Sequence, residues 1–170
     1  MSPLVVIRGN SASGKSTTAA AVQGRFERGR CAVVSQDVVR RNMIREPDEP
    51  DGFNIELIEQ IARWCLDRGM VVIVEGILDA QRYGAMLGRL ADSVDRSLFY
   101  GFDLTFDQTL ARHSGRPLSA IVAPEQMAAW YHGWQPLPFV EEVRIDANWT
   151  LDAVTDRIYR DIGLCRNGIS

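Results

Sequence analysis

The feature that most constrains this chain is a glycine-rich segment near its amino end, Gly9-Asn10-Ser11-Ala12-Ser13-Gly14-Lys15-Ser16. It follows the apolar run Leu4–Ile7 and precedes a helix-favouring run from Ser16 to Phe26. The pattern G-x-x-x-x-G-K-[ST], placed between a strand and a helix, is typical of loops that bind phosphate groups. The segment therefore predicts an α/β fold with a phosphate site at the end of its first strand.

Each residue type in this loop has a physical role in binding phosphate. The glycines allow the backbone to fold back, so that consecutive N–H groups point at one anion. The helix that follows adds the positive end of its dipole, and Lys15 adds a full charge. Ser16 places a hydroxyl where a phosphate-bound Mg²⁺ would be coordinated. The residues predicted to contact nucleotide phosphates are Gly9, Asn10, Ser11, Ala12, Ser13, Gly14, Lys15, Ser16 and Thr17.

The use of basic residues supports this interpretation of the loop. Lysine and arginine together number 19, and Lys15 is the only lysine in the sequence. A slender ammonium reaches between phosphate oxygens where the planar guanidinium of arginine does not fit in the same way. The one lysine therefore stands where phosphate chemistry requires it.

Bulk properties narrow the class of protein further. The 170 residues fit one domain, 46% of them are hydrophobic, and the formal net charge is −3. Such a chain has no general attraction for nucleic acid or anionic membranes, although its net charge does not exclude local basic patches. Three widely spaced cysteines suit a reducing compartment, and no apolar run is long enough to span a membrane. We expect a cytoplasmic protein, and the sequence does not indicate its oligomeric state.

Apolar strand-like segments alternate with helix-like segments along the chain. Strands are predicted at Leu4–Arg8, Cys31–Ser35, Met70–Val74, Ser97–Phe102 and Val143–Asp146. Helices are predicted at Ser16–Phe26, Val38–Arg45, Asn54–Arg68, Ala80–Ala91, Phe106–Arg112, Pro124–Trp130 and Leu151–Ile162. Continuous apolar strands separated by helices imply a parallel sheet covered on both faces. We predict an α/β three-layer sandwich with about five strands, formed as a single domain by residues 1–170.

In such sheets ligands bind beyond the carboxyl ends of the strands, which directs attention to Asp37 after the second strand. One hypothesis is that Asp37 accepts the proton of an attacking hydroxyl. The alternative is that it caps the helix predicted to begin at Val38. Arg40 follows one helical turn later, so that it faces the same site and contacts the substrate or the transferring phosphate.

Glu75 ends the third predicted strand, where a buried charge is costly unless it meets a metal, water or a partner. It is a candidate to hold a Mg²⁺-bound water or a substrate hydroxyl. The alternative is a structural role as the partner of a nearby arginine such as Arg82. Asp103 after the fourth strand is likewise either a ligand or a cap for the helix that follows Leu104.

Arg112 and Arg116 are four residues apart around a predicted hinge, and we interpret them as part of a small lid around residues 112–123. Two guanidinium groups that close over the phosphates would stabilise the charge that develops during transfer. The alternative is an ordinary solvated helix end. The nearby aromatics Trp130, Tyr131 and Trp134 are more typical of packing than of ligand stacking.

Three motifs together resemble the P-loop kinases of the polynucleotide kinase and chloramphenicol phosphotransferase type. They are the loop Gly9–Ser16, the Asp37-x-x-Arg40 pair and Arg112-x-x-x-Arg116. The order of elements is also similar to the wider group of nucleoside and nucleotide kinases. The resemblance implies ATP and Mg²⁺ at Lys15 and Ser16 and a base at Asp37. It also implies that Arg40 contacts the acceptor and that the two lid arginines close on ATP.

These observations favour an ATP-dependent kinase that phosphorylates a hydroxyl of a small molecule, such as a nucleoside, sugar or antibiotic. A 5′-hydroxyl polynucleotide kinase is the alternative, although the acidic segment Glu46–Asp51 and the net charge would repel a polyanion. A nucleotide-binding switch module is an alternative of another class. A GTPase normally carries an N-K-x-D guanine site, and no second lysine is present to form one.

Overall fold

The computed structural model describes residues 2–114 and 123–167, which form a sheet with helices on both faces. The strands are β1 (Leu4–Gly9), β2 (Cys31–Ser35), β3 (Val71–Gly76), β4 (Ser97–Phe102) and β5 (Val143–Ile145). Their order across the sheet is β2-β3-β1-β4-β5, and every neighbouring pair is parallel. The predicted α/β class with about five parallel strands is therefore confirmed.

The helices follow the predicted order with small changes at their ends. They are α1 (Lys15–Gln23), α2 (Phe53–Leu66), α3 (Ala80–Asp92), α4 (Phe106–Ser114), α5 (Pro124–Trp130) and α6 (Leu151–Asn167). The segment Val38–Ile44, predicted as an ordinary helix, is π-helical. No helix among the described residues combines the length and apolarity needed to cross a membrane.

Alternation along the strands divides the core between the two faces of the sheet. In β1, Leu4 and Val6 pack in the cluster that includes residues of α2 and α3. Val5 and Ile7 point to the other face and pack with residues of α1 and α6. Because both faces are covered, β1 is apolar without interruption, as expected for a central parallel strand.

The acidic segment 46–52 is a loop that contacts of Glu46 and Asp48 hold in place. Oxygens of the Glu46 carboxylate accept hydrogen bonds from the backbone N–H groups of Phe53, at 3.1 Å, and Asn54, at 2.5 Å. The hydroxyl of Tyr83 donates to Asp48 at 2.8 Å. Burial and this hydrogen bond raise the pKa of Tyr83 above its usual value, so that it stays a donor. The loop is therefore anchored to α2 and α3.

Arg8, which sequence reasoning did not single out, forms a buried ion pair beside the phosphate loop. Its Nη1 lies 2.9 Å from Oε2 of Glu142, and the two side chains are 6% and 1% exposed. The same Nη1 donates to the carbonyl oxygen of Gln135 at 2.6 Å, and Nε donates to that of Leu78 at 3.2 Å. The pair ties segment 135–142 to the carboxyl end of β1.

We predict that Arg8→Met destabilises the fold by about 3–5 kcal/mol, because it leaves the buried Glu142 carboxylate without its partner. Urea unfolding followed by circular dichroism measures this change. The double variant Arg8→Met/Glu142→Leu removes both charges and should lose less than the single variant does. Equal losses in the single and double variants would contradict this account.

Candidate active site

The loop between β1 and α1 adopts the conformation that its glycines predict. Gly9 has φ 149°, and a Cβ atom there would lie 2.8 Å from the carbonyl oxygen of Phe102 on β4. Gly14, at the start of α1, has φ 103°. Side chains rarely tolerate these backbone angles, so the tight return of the chain depends on both glycines.

Lys15 folds back across this loop. Its ammonium donates to the carbonyl oxygen of Asn10 at 2.6 Å and to the hydroxyl of Ser13 at 3.2 Å. The residue is 7% exposed, so the charge lies within the loop rather than in bulk water. A phosphate cradled by the loop would therefore meet this charge at short range.

Asn10 connects the loop to the opposite wall of the site. Its side-chain oxygen accepts from the backbone N–H of His132 at 2.8 Å, and its amide donates to the carbonyl oxygen of Gly133 at 3.1 Å. The side chain is therefore engaged, and a contact of the Asn10 backbone with phosphate stays a prediction. The side chain fixes the segment that follows α5.

Ser16 and Glu75 meet at the start of α1. The serine hydroxyl donates to Oε2 of Glu75 at 3.0 Å, and Glu75 is 3% exposed. A hydroxyl and a carboxylate side by side supply the oxygen ligands that Mg²⁺ prefers, directly or through its bound water. These residues therefore fit the predicted metal position beside the phosphate loop.

Arg82, suggested from sequence as the partner of Glu75, lies elsewhere. Its Nη1 is 3.0 Å from Oδ2 of Asp48, and its Nε is 3.7 Å from Oδ1 of Asp79. The structural pairing of Glu75 with Arg82 is therefore wrong. Glu75 is directed to the start of α1 instead.

Arg112 reaches the phosphate loop from α4. Its Nη1 donates to the carbonyl oxygen of Ser13 at 2.5 Å. A solvated helix end, the alternative interpretation of Arg112, would not make this contact with the phosphate loop. Arg116 and residues 115–122 of the predicted lid lie outside the described residues.

Asp37 stands at the carboxyl edge of the sheet with an exposed carboxylate. Its Oδ1 lies 3.5 Å from Nη2 of Arg40 and 3.2 Å from Nε of Arg41, and its side chain is 60% exposed. Its backbone is already helical, and among the described residues its side chain makes no capping hydrogen bond. The capping alternative is therefore wrong, and the carboxylate faces solvent beside two arginines.

Helix α4 is capped by Thr105 rather than by Asp103. The Thr105 hydroxyl accepts from the backbone N–H of Gln108 at 3.3 Å, and the Gln108 side chain accepts from the Thr105 N–H at 2.9 Å. This reciprocal pair is a capping box. Asp103 forms an ion pair with Arg144 instead, so its predicted capping role is wrong.

The aromatic residues after α5 serve mainly in packing. The hydroxyl of Tyr131 donates to the carbonyl oxygen of Leu104 at 2.9 Å, and its ring packs edge-on against Phe106. Trp134 covers Gly101, where a Cβ atom would lie 2.5 Å from the indole ring. Tyr131 and Trp134 thus join the crossing segment to the sheet, as expected for packing aromatics.

A cavity of about 400 Å³, which we call the arginine cavity, reaches His132, whose backbone N–H donates to Asn10 of the phosphate loop. It is lined by Arg40, Arg41, Asp48, Ile77, Arg82, Ala129, Trp130 and His132. Ile77 follows Glu75 by two residues, and the backbone of His132 is bonded to Asn10. Since Glu75 accepts from Ser16, both lining residues are linked to the phosphate loop through one bonded neighbour.

Of this lining, sequence reasoning assigned a substrate contact to Arg40 alone. Arg82 lies in the first turn of α3, just beyond the carboxyl end of β3, which is the one signal that places it near the site. Arg41 and Trp130 meet only through folding, with the guanidinium 5.3 Å from the centre of the indole ring. No spacing in the sequence joins residues so far apart in the chain.

The strand order and the phosphate loop after β1 define a P-loop protein of the type shared by many kinases. A family model described as "AAA domain" matches residues 4–135, and the chain belongs to this family. No curated protein matches the chain in sequence.

Several solved structures share the fold over nearly the whole chain. The APS kinase of Mycobacterium tuberculosis, in complex with AMPPNP and APS, is 19% identical and aligns with a TM-score of 0.70, covering 96% of this chain and 98% of that one. A gluconokinase from Sinorhizobium meliloti is 15% identical with a TM-score of 0.66, covering 96% and 97%. The tunicamycin resistance protein of Deinococcus radiodurans is 16% identical with a TM-score of 0.62, covering 96% of each chain.

We predict that Glu75→Gln raises the Mg²⁺ concentration needed for nucleotide binding by about tenfold or more, because residues around a metal typically affect its affinity on this scale. Calorimetric titration of AMPPNP at a series of Mg²⁺ concentrations measures the effect. Glutamine can still accept the hydrogen bond from Ser16, so the fold is preserved. Glu27→Gln, at an exposed position after α1, is the matched control. An unchanged Mg²⁺ requirement would assign Glu75 a purely structural role.

Proposed function

We propose that this protein is an ATP-dependent phosphotransferase that moves the γ-phosphoryl group to a hydroxyl of a small molecule. The observation that carries the proposal is the arginine cavity, which has a volume of about 400 Å³ and is linked to the phosphate loop through His132 and Asn10. Ligand sites for small molecules fall in this size range. A donor site and an acceptor-sized cavity held at neighbouring positions of one sheet edge are what direct transfer requires.

Lys15, Ser16 and Arg112 form the donor side of the proposed site. Lys15 lies within the loop, and Arg112 approaches it from α4 through the carbonyl oxygen of Ser13. These charges would stabilise the phosphate oxygens as the γ-phosphoryl group is transferred. Mg²⁺, when bound near Ser16 and Glu75, would neutralise part of the phosphate charge. Arg116 remains a second candidate for the same role.

Asp37 and Arg40 form the acceptor side. In the reaction, the acceptor oxygen forms a bond to the γ-phosphorus while the bond from that phosphorus to the β–γ bridging oxygen breaks and ADP leaves. We assign the acceptor proton to the carboxylate of Asp37, which is exposed and lies 3.2 Å from Nε of Arg41 at the cavity. Arg40 would hold the acceptor or the transferring group.

Relatives in fold support a small-molecule acceptor. Two of them are an APS kinase solved with APS and a gluconokinase, and both act on small molecules. The acidic segment 46–52 borders the cavity through Asp48, which disfavours a long polyanion. A polynucleotide kinase is the alternative, and a screen of acceptors that includes single-stranded DNA tests it.

A reducing compartment, which we take to be the cytoplasm, suits the cysteines of this chain. Cys31 and Cys65 are free thiols within the described residues. Burial raises the pKa of Cys31 to about 12, so this thiol remains protonated and unreactive at neutral pH.

The proposal is tested by a screen of hydroxyl-bearing small molecules with γ-labelled ATP, read as a mass increase of one phosphoryl group. The panel contains nucleosides, sugars, sugar acids and antibiotics, together with single-stranded DNA that bears a 5′-hydroxyl. Lys15→Ala is the blank, because it removes the phosphate-loop charge. Transfer to DNA alone would establish the alternative, and hydrolysis of ATP without transfer to any acceptor would favour a switch module.

We predict that Asp37→Asn lowers kcat for transfer by about 100-fold or more while ATP affinity changes little, because the amide cannot accept the acceptor proton. Steady-state kinetics and AMPPNP titration separate the two quantities. Asp51→Asn, in the exposed part of the acidic segment, is the matched control and should retain wild-type kcat. A variant that loses thermal stability but keeps its turnover would refute the assignment of Asp37 as base.

A further inference from the structure

We propose that the acceptor carries an anionic group, a phosphate, sulfate or carboxylate, which Arg41 and Arg82 bind in the arginine cavity. This inference rests on the proposed function and adds the chemical class of the acceptor. Neither arginine belongs to the motifs that the sequence presents. Both are assigned here from their position in the fold.

The charges of the lining favour an anion. Three of its eight residues are arginines and one, Asp48, is a carboxylate. Asp37 and Asp79, outside the lining, lie near Nε of Arg41 and Nε of Arg82. These carboxylates leave the other N–H groups of both guanidinium groups as donors, and guanidinium donors bind oxyanions more strongly than neutral hydroxyls.

Arg82 is held in position by two aspartates, Asp48 and Asp79, and one of its nitrogens is left for a ligand. Its Nη1 donates to the carbonyl oxygen of Asp48 at 2.5 Å and lies 3.0 Å from Oδ2 of the same residue. Its side chain is 22% exposed, so packing restricts its rotamers. Within the described part of the chain, no hydrogen bond or ion pair uses its Nη2. A preorganised guanidinium of this kind binds oxyanions with little loss of entropy.

Arg41 approaches from the π-helical segment. Its Nε lies 3.2 Å from Asp37, and its guanidinium stacks 5.3 Å from the centre of the Trp130 ring. Among residues 2–114 and 123–167, neither Nη1 nor Nη2 has a hydrogen-bond partner. The side chain is thus oriented by two neighbours, while Nη1 and Nη2 of its guanidinium group are available to an oxyanion.

Arg40 adds charge behind these two side chains. Its side chain is 12% exposed, its Nη1 donates to the carbonyl oxygen of Glu46 at 3.2 Å, and Nη2 lies 3.5 Å from Asp37. Its Nε is buried and has no hydrogen-bond partner among the described residues. A buried donor left in this way is costly, and a nearby anion offsets part of that cost electrostatically.

The positions of Asp37 and of the arginine cavity agree with transfer to an anionic acceptor. Asp37 contacts Arg41, which lines the cavity, and the cavity wall continues through His132 to the phosphate loop. An acceptor anchored by its anion at Arg41 and Arg82 would have its hydroxyl end free to reach Asp37. Anchoring a substrate at one end lets binding energy position its other end.

Inorganic sulfate is the probe for this site, measured by calorimetric titration at constant ionic strength with chloride as the balancing anion. The titration is made on the wild-type protein saturated with Mg²⁺ and AMPPNP, so that the phosphate loop is filled. It is repeated on Lys15→Ala without nucleotide. We expect sulfate binding in both, weakened about tenfold or more by Arg82→Gln and by Arg41→Gln. Arg82→Lys, which keeps the charge, should retain most of the affinity.

Arg28→Gln, at an exposed position beyond α1, is the control and should bind sulfate like the parent protein. The inference is overturned if sulfate does not bind, or if it binds equally to the arginine-cavity variants and to the control. Failure of AMPPNP to bind would count against the proposed function instead, while the Lys15→Ala titration would still test the anion site. Thermal melting of each variant identifies losses that come from unfolding.

The acceptor itself supplies the second measurement. Any anionic acceptor found by the screen should lose about tenfold or more in kcat/KM in Arg82→Gln, mainly through KM, because the lost contact lies away from the reacting atoms. A neutral acceptor turned over equally by the parent protein and by Arg82→Gln would overturn the inference. Such a result would leave the proposed transferase function intact.

Discussion

The parallel arrangement of the five strands is the constraint on which the rest of the structure depends. With every neighbouring pair parallel, the carboxyl ends of all strands meet at one edge of the sheet. The central strand β1 ends there in Gly9, whose backbone approaches Phe102 too closely for any side chain. The phosphate loop therefore forms between the ends of β3 and β4, next to Glu75 and within reach of α4.

Polar side chains at this edge tie β1 and the phosphate loop to the segment that follows α5. Asn10 binds the backbone of the segment after α5, and Arg8 binds the same connection further along through Gln135 and Glu142. The bond to His132 links the phosphate loop to one wall of the arginine cavity. A change in the loop is therefore expected to reach that wall.

In the acidic loop 46–52, the local sequence determines the absence of regular structure and tertiary contacts determine the position. Its prolines and acidic residues exclude regular structure, and the absence of a helix or strand there follows from composition alone. The position of the loop does not follow from composition. It depends on the contacts of Glu46 with Asn54 and of Asp48 with Tyr83 and Arg82. Those contacts convert a solvent-exposed segment into one wall of a cavity.

The sequence by itself determined the alternation of elements, the parallel sheet and the phosphate loop, because apolar runs and the glycine pattern act over short distances. Strand ends also located Asp37 and Glu75, since parallel topology brings those ends together. Only the tertiary structure decided that Asp37 is no cap, that Glu75 meets Ser16 rather than Arg82, and that three arginines share a cavity. The physical reason is that these pairings join distant elements through side-chain packing, for which the chain carries no local signal.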